Sequence, residues 1–259
     1  MNGMQRNQPV RRNGGFTIVV MAALFIAFAV IAAAVVERNS ATQFITRRDA
    51  TVQQLRRLST AIIEYGIFNV GGPAGTTMLY PCPALETLLT SDANFGAAVA
   101  NCYSTTGDTG TATATGIPIL GTDVIRGMVP VQALAQYGIN INEAFDPWNN
   151  RIEYVVNRRL TPGSTTIAGA QTTNPTVTDA DTGSAIPPPD FILISYGRDG
   201  LGGIRRGNTA VSIACPSPGT VLRQYNCDVN TSFYIAPTYT ADTATSANYF
   251  DDILSYYRQ

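Results

Sequence analysis

One order of residues constrains this chain more than any other. Arg11-Arg12-Asn13-Gly14-Gly15-Phe16-Thr17 opens an apolar run that lasts through Val36, and the next charge is Glu37. A secretory signal peptide carries its small-residue cleavage site after the apolar region. Here Gly14-Gly15 comes first, so a cut after Gly15 keeps the apolar segment and makes Phe16 the new N-terminus. Residues 16–36 form a stretch without Gly, Pro or charge. As a helix it is ~31 Å long, close to a bilayer hydrocarbon core, and its alanines favour helix. In lipid a helix is the single-segment solution that bonds every backbone polar group internally. Arg6, Arg11 and Arg12 flank the N-terminal end, which the positive-inside rule holds in the cytoplasm while the rest of the chain goes outward.

The helical pattern continues. Phe44, Val52, Leu55, Leu58, Ile62 and Tyr65 recur near helical spacing, with Arg47, Arg48, Asp49, Arg56 and Arg57 on other faces. One helix is expected over residues 16–67, apolar first and amphipathic later, stopped by Gly71-Gly72-Pro73. Charge divides along the chain. Residues 1–66 carry 8 Arg against 3 acids, and residues 67–259 carry 9 Arg against 15 acids. The outer part is mildly acidic, so no nucleic-acid partner is expected. The chain has no His, which removes Ser-His and Cys-His nucleophile pairs and His-containing metal sites. No enzyme constellation is present.

Beyond residue 72 the chain is rich in Gly, Pro, Thr and Asn. Residues 103–116 and 161–189 read as polar loops that bury little. Residues 129–137 are expected to hold a short helix after Pro130. Strands are expected at 151–157, 191–196, 210–214 and 232–236, each β-branched or aromatic and bounded by turn residues. Asp146-Pro147-Trp148-Asn149-Asn150 specifies a tight reversal, with the sole Trp expected to cap the core beside it. A helix followed by strands implies an α+β fold with an antiparallel sheet on the amphipathic half of the helix. Cys82, Cys102, Cys215 and Cys227 all follow the apolar segment, in the part expected to meet an oxidising compartment. The sequence-local pairing joins Cys82 to Cys102 and Cys215 to Cys227, but four cysteines allow three connectivities and sequence does not choose. No Cys-x-x-Cys pair supports a zinc site.

The leader, cut site and apolar run together resemble the prepilin segment of type IV pilins and type II secretion pseudopilins. The Asp146-Pro147-Trp148-Asn149-Asn150 turn, the strand after it, Gly197-Arg198-Asp199-Gly200 and the late Asp251-Asp252-Ile253 resemble the pseudopilin outer domain. Asn149 stands where the family often has Gly. The resemblance implies cleavage after Gly15 by a prepilin peptidase and N-methylation of Phe16. It implies a pilin-like fold: a leader at 1–15, a transmembrane or filament-core helix at 16–36, its amphipathic half at 37–70, and a periplasmic domain at 71–259.

It further implies a single-pass inner-membrane location, with the N-terminus cytoplasmic and the domain periplasmic. The implied partners are the peptidase, other pilin or pseudopilin subunits, an inner-membrane assembly platform and the lipid bilayer. The family usually carries Glu at the fifth mature position, and Val20 occupies it here, which points to a minor subunit. The expected function is a structural filament subunit. The alternatives are a filament-tip adhesin or a plain membrane-anchored domain. No cofactor is expected apart from calcium, which in the major pseudopilins is bound by acidic residues of a late loop. The matching carboxylates are Asp199, Asp251 and Asp252. The competing reading puts Asp199 in a turn and Asp251 at the cap of a final helical turn.

Overall fold

A computed structural model describes residues 14–71, 77–100, 102, 116–120, 123–162, 175–215, 226–227, 230–235 and 250–259, without the side chains of 14–18, 36–41, 71 and 77. The longest element is helix α1, Gly14–Phe68. The chain divides into two compact units, Met1–Thr46 and Arg47–Gln259, and the boundary falls inside α1.

In the first unit, residues 19–35 are apolar and their side chains are exposed. In the second unit, α1 carries a true stripe. Thr51, Gln54, Leu55, Leu58, Ala61 and Ile62 are buried while Arg56, Arg57 and Thr60 face out. That spacing of three and four is one side of a helix. Gln54 donates from Nε2 to the carbonyls of Glu143 (3.0 Å) and Phe145 (2.8 Å), which fixes the stripe's register against the loop beneath.

The sheet strands are β1 Val70–Gly71, β2 Thr77–Met78, β3 Ile119–Leu120, β4 Val124–Met128, β5 Glu153–Asn157, β6 Thr176–Asp179, β7 Ala185–Ile186, β8 Phe191–Ser195, β9 Ser232–Ile235 and β10 Ile253–Tyr257. The main sheet runs β10-β8-β5-β4-β3, antiparallel throughout. A second sheet runs β7-β6-β9, with β6 and β9 parallel, and β1 pairs with β2.

Successive strand side chains point to opposite faces, and both faces of the main sheet are buried. Tyr154, Val156, Phe191 and Leu193 join Leu55, Leu58 and Ile62 of the helix in one core. Val155, Ile192 and Ile194 join Val177 and Phe233 of the second sheet in another. This double burial explains why β8 reads FILIS without polar alternation.

The expected arrangement, an α+β pilin-like fold with one long helix, transmembrane and then amphipathic, lying on an antiparallel sheet, is corrected on three points. First, the membrane-spanning character expected of residues 16–36 is not found. Among the described residues no helix is long and apolar enough to cross a membrane. The expected single-pass inner-membrane location falls with that finding. Second, only the portion of the helix from Arg47 belongs to the sheet-bearing unit. Third, the strands form three sheets, one of them partly parallel.

Smaller corrections follow. Residues 129–137 form turns and a single 3-10 turn, Ala135–Tyr137, because Gly138 at φ 82° closes it immediately. Residues 210–214 form no strand. Gly202 N–H donates to the Ile213 carbonyl and Ser212 N–H to Gly203, folding this stretch back on its own loop. The stretch at 176–179, inside the expected loop at 161–189, is strand β6. Of the loop expected at 103–116, residues 103–115 lie outside the described residues.

Candidate functional site

The motifs singled out in the outer domain meet at one end of the main sheet. Asp146 organises the first. Its Oδ1 accepts the backbone N–H groups of Trp148 (2.9 Å) and Asn150 (2.8 Å), an Asx turn that reverses the chain into β5. Asn149 sits at φ 67°. That left-handed conformation suits Asn and Gly, which explains the residue at that position. Trp148 is half-buried and belongs to neither core, so it does not serve as the expected cap.

The end of β8 is bonded residue by residue to buried carboxylates and their partners. Ser195 Oγ donates to Asp146 Oδ2 (2.7 Å). Tyr196 Oη donates to Glu153 Oε2. The Gly197 carbonyl accepts from Asn150 Nδ2 (2.6 Å). The backbone N–H groups of Arg198 and Asp199 both point at Asp251 Oδ2, the latter at 3.0 Å. Gly197 is required here, since a Cβ would stand 2.4 Å from the Asp251 carbonyl at a φ of 55°. Asp252 accepts from Asn226 Nδ2 (3.2 Å), and Asn226 also clamps the backbone of Tyr234 in β9.

Asp199, Asp251 and Asp252 are therefore neighbours despite their separation in sequence. One oxygen of each is engaged by the protein itself. Asp199 Oδ1 accepts Leu201 N–H (2.9 Å), the turn role weighed above. Asp251 caps the loop at 198–199 and precedes strand β10, not a helical turn. Among the described residues no group of three His, Cys, Asp or Glu could hold a metal ion. Calcium does not fit this arrangement of the described residues. Burial lifts the Asp252 carboxyl well above the usual range, with Asp251 and Asp199 adding to it and Asn226 opposing. Burial likewise lifts Asp146 to about 6, against the hydrogen bonds from Ser195, Asn150 and Trp148.

Beside this junction lies a charge cluster that sequence reading missed. Arg126 of β4 pairs with Glu153 of β5 through Nε and donates from Nη2 to Glu153 Oε2 (2.8 Å) and to Tyr196 Oη (2.6 Å). Arg126 is aligned with Val155, so Glu153 is its diagonal neighbour on the same sheet face. Both are buried. With Glu86, Arg151 and the loop at 202–211 they line a cavity of about 30 Å³, room for a water or two. Arg151 reaches out of it to the carbonyls of Glu86 (2.6 Å) and Leu88 (2.8 Å). Burial pushes Glu153 up to about 7, with Arg126 opposing and Glu86 adding. Burial works against the charge on Arg126, but Glu153, Tyr196 and Glu86 outweigh it. The available signal was a lone charge inside each of two apolar strands, VIRGM and EYVVN. Nothing in the pattern said that the two would meet.

The disulfides join Cys82 to Cys102 and Cys215 to Cys227. The second packs on the same junction, since a Cβ on Gly202 would lie 2.6 Å from that of Cys227. Gly15 and Phe16 stand in the first turn of α1. Chemically the junction holds loops and neutralises buried charge. The chain matches no protein-family model, no curated protein and no solved structure.

Proposed function

We propose that this chain is a structural assembly subunit, a minor pseudopilin or minor pilin, processed by a prepilin peptidase after Gly15. One observation carries the reading. From Val19 to Val35, ten large apolar side chains of α1 are exposed, Phe25 and Phe28 each at 72 %. A soluble chain rarely leaves so much contiguous apolar surface without a partner. The leader sequence supports the same reading, because a cut after Gly15 would leave this helix at the mature N-terminus. In an assembly the helices of sister subunits would cover one another. The second unit is stapled by two disulfides, so its folding calls for oxidising conditions. The role is mechanical, and partners are the peptidase, an assembly platform and other subunits.

The test is the Gly15→Arg variant, compared with the parent chain by intact mass in cells that carry a prepilin peptidase. The parent is expected to lose residues 1–15 and the variant to keep them. A parent that retains Met1, or a variant with the processed mass, overturns the proposal.

A further inference from the structure

The two edges of the main sheet differ. At one edge β3 is two residues long and follows Pro118, which blunts it against further pairing. At the other edge β10 is a full strand, Ile253-Leu254-Ser255-Tyr256-Tyr257, with no Pro, Gly or charge inside it.

The register says which backbone groups of β10 face outward. Along an antiparallel strand, successive residues bond to opposite sides. Arg126 and Met128 of β4 send their N–H groups to Pro118 and Ala84, away from β5. Ile125 and Gly127 are therefore the residues that bond to Val156 and Tyr154 of β5. That leaves Glu153 and Val155 for Ile194 and Ile192 of β8. It leaves Phe191, Leu193 and Ser195 of β8 for Tyr257, Ser255 and Ile253 of β10. Leu254 and Tyr256 then point their N–H and C=O groups out of the sheet. Among the described residues nothing bonds to them there, and Tyr256 is 41 % exposed.

We propose that this open edge pairs with the same edge of a second copy, antiparallel and centred on Ser255. The contact lies wholly within the second unit and closes at two copies, whereas a filament contact repeats without closing. It is therefore separate from the assembly reading above.

Backbone and charge together select the second copy. A two-fold axis at Ser255 sets Leu254 opposite the partner's Tyr256, so the outward groups of each strand meet those of the other. The same register sets Asp252 opposite the partner's Arg258, and symmetry repeats the pair. Neither Asp252 nor Arg258 has an ion-pair partner among the described residues, and Arg258 is exposed. Moving the axis to Leu254 or Tyr256 would set Arg258 opposite Phe250 or Leu254 instead. Opposite charges facing each other across strands favour a register. An unrelated extended peptide would meet the same backbone groups but not this order of charges.

In the proposed pair Ser255 faces its own copy at a non-hydrogen-bonded position, where Cα atoms stand about 4.5 Å apart, within reach of a disulfide. The experiment uses full-length chain in detergent, which covers the apolar helix. It carries Ser255→Cys or Tyr256→Cys and is oxidised briefly with copper phenanthroline. Non-reducing gels then measure the dimer. Roughly tenfold more dimer is expected at position 255, although position 256 is the more exposed, because a cysteine at 256 is offset from its own copy by two residues. Adding Tyr256→Pro to Ser255→Cys is expected to abolish the dimer with circular dichroism unchanged, since proline removes an outward N–H and no bond to β8. Arg258→Glu is expected to lower the dimer at 255 several-fold. Equal dimer at 255 and 256, no dimer at 255, or a yield indifferent to Arg258→Glu overturns the proposal.

Hydrogen exchange tests it on the unaltered chain. The amides of Leu254 and Tyr256 are expected to slow as protein concentration rises, while those of β5 do not change. Exchange at 254 and 256 that ignores concentration overturns the pairing even where a cysteine variant misfolds. It also points to an edge that stays open or takes another protein's strand. Neither outcome bears on cleavage after Gly15.

Discussion

Replacing Arg126 by Met tests the energetic logic of the charge cluster. The variant keeps the length and volume of the side chain but leaves Glu153, 4 % exposed, with only Tyr196 as a hydrogen-bond donor among the bonds described above. Breaking a buried pair by removing one partner costs about 3–5 kcal/mol, because the surviving charge stays buried without compensation. That cost depends on pH in a defined direction. Glu153 titrates near 7 in the folded protein against an ordinary 4.5. Between those values the folded state binds a proton that the unfolded state releases, so this group favours folding at pH 5 relative to pH 8.

Without Arg126 the folded value rises further, so that Glu153 is neutral at pH 5 in both chains but keeps its proton above pH 7 only in the variant. The expected loss is therefore about 3–5 kcal/mol at pH 8 and smaller by about 1.4 kcal/mol at pH 5, the one pH unit above 7 over which only the parent's Glu153 has released its proton. The double variant Arg126→Met with Glu153→Leu is expected to recover most of it, since an apolar pair of similar volume often equals a buried ion pair. Guanidinium unfolding followed by far-ultraviolet circular dichroism at both pH values measures all three chains. A loss that is the same at pH 5 and pH 8, or a double variant as unstable as the single, refutes the reasoning.

Two further outcomes follow from the same junction. Asn149→Gly is expected to be neutral or stabilising by a few tenths of a kcal/mol, whereas Asn149→Val costs about 1–2 kcal/mol, since a β-branched residue resists the left-handed backbone held at φ 67°; thermal melting separates the two. Replacing Cys215 and Cys227 together by Ser is expected to cost about 3 kcal/mol from loop closure. The loss should register in hydrogen exchange of β9, which Asn226 anchors next to the bridge, before it registers in β5.

Local structure was legible where neighbouring residues set it. The buried stripe at Leu55, Leu58 and Ile62 is visible as helical spacing, and EYVVN and FILIS read as strands because β-branched and apolar residues crowd them. The Asp146 turn was legible because its carboxylate bonds backbone groups two and four residues on. Val124–Met128 was missed because its central Arg and Gly break a strand pattern, and the Arg is tolerated through Glu153, a partner 27 positions away. Strand β6 was missed because it sits in a polar, Thr-rich stretch and gains its order from parallel pairing with distant β9.

By itself, then, the sequence determined what depends on separations of two to four residues: the helical stripe, the helical apolar run, the strand segments and the turn. Tertiary structure decided what depends on separations of tens of residues. It chose which cysteines pair, and it brought Asn150 to Gly197 and Asp251 to Asp199 across 47 and 52 positions. It also matched the one buried Arg of β4 to the one buried Glu of β5. The physical reason is that a dihedral preference is felt locally, whereas a buried charge or an orphan carbonyl is satisfied only by whatever packing brings beside it.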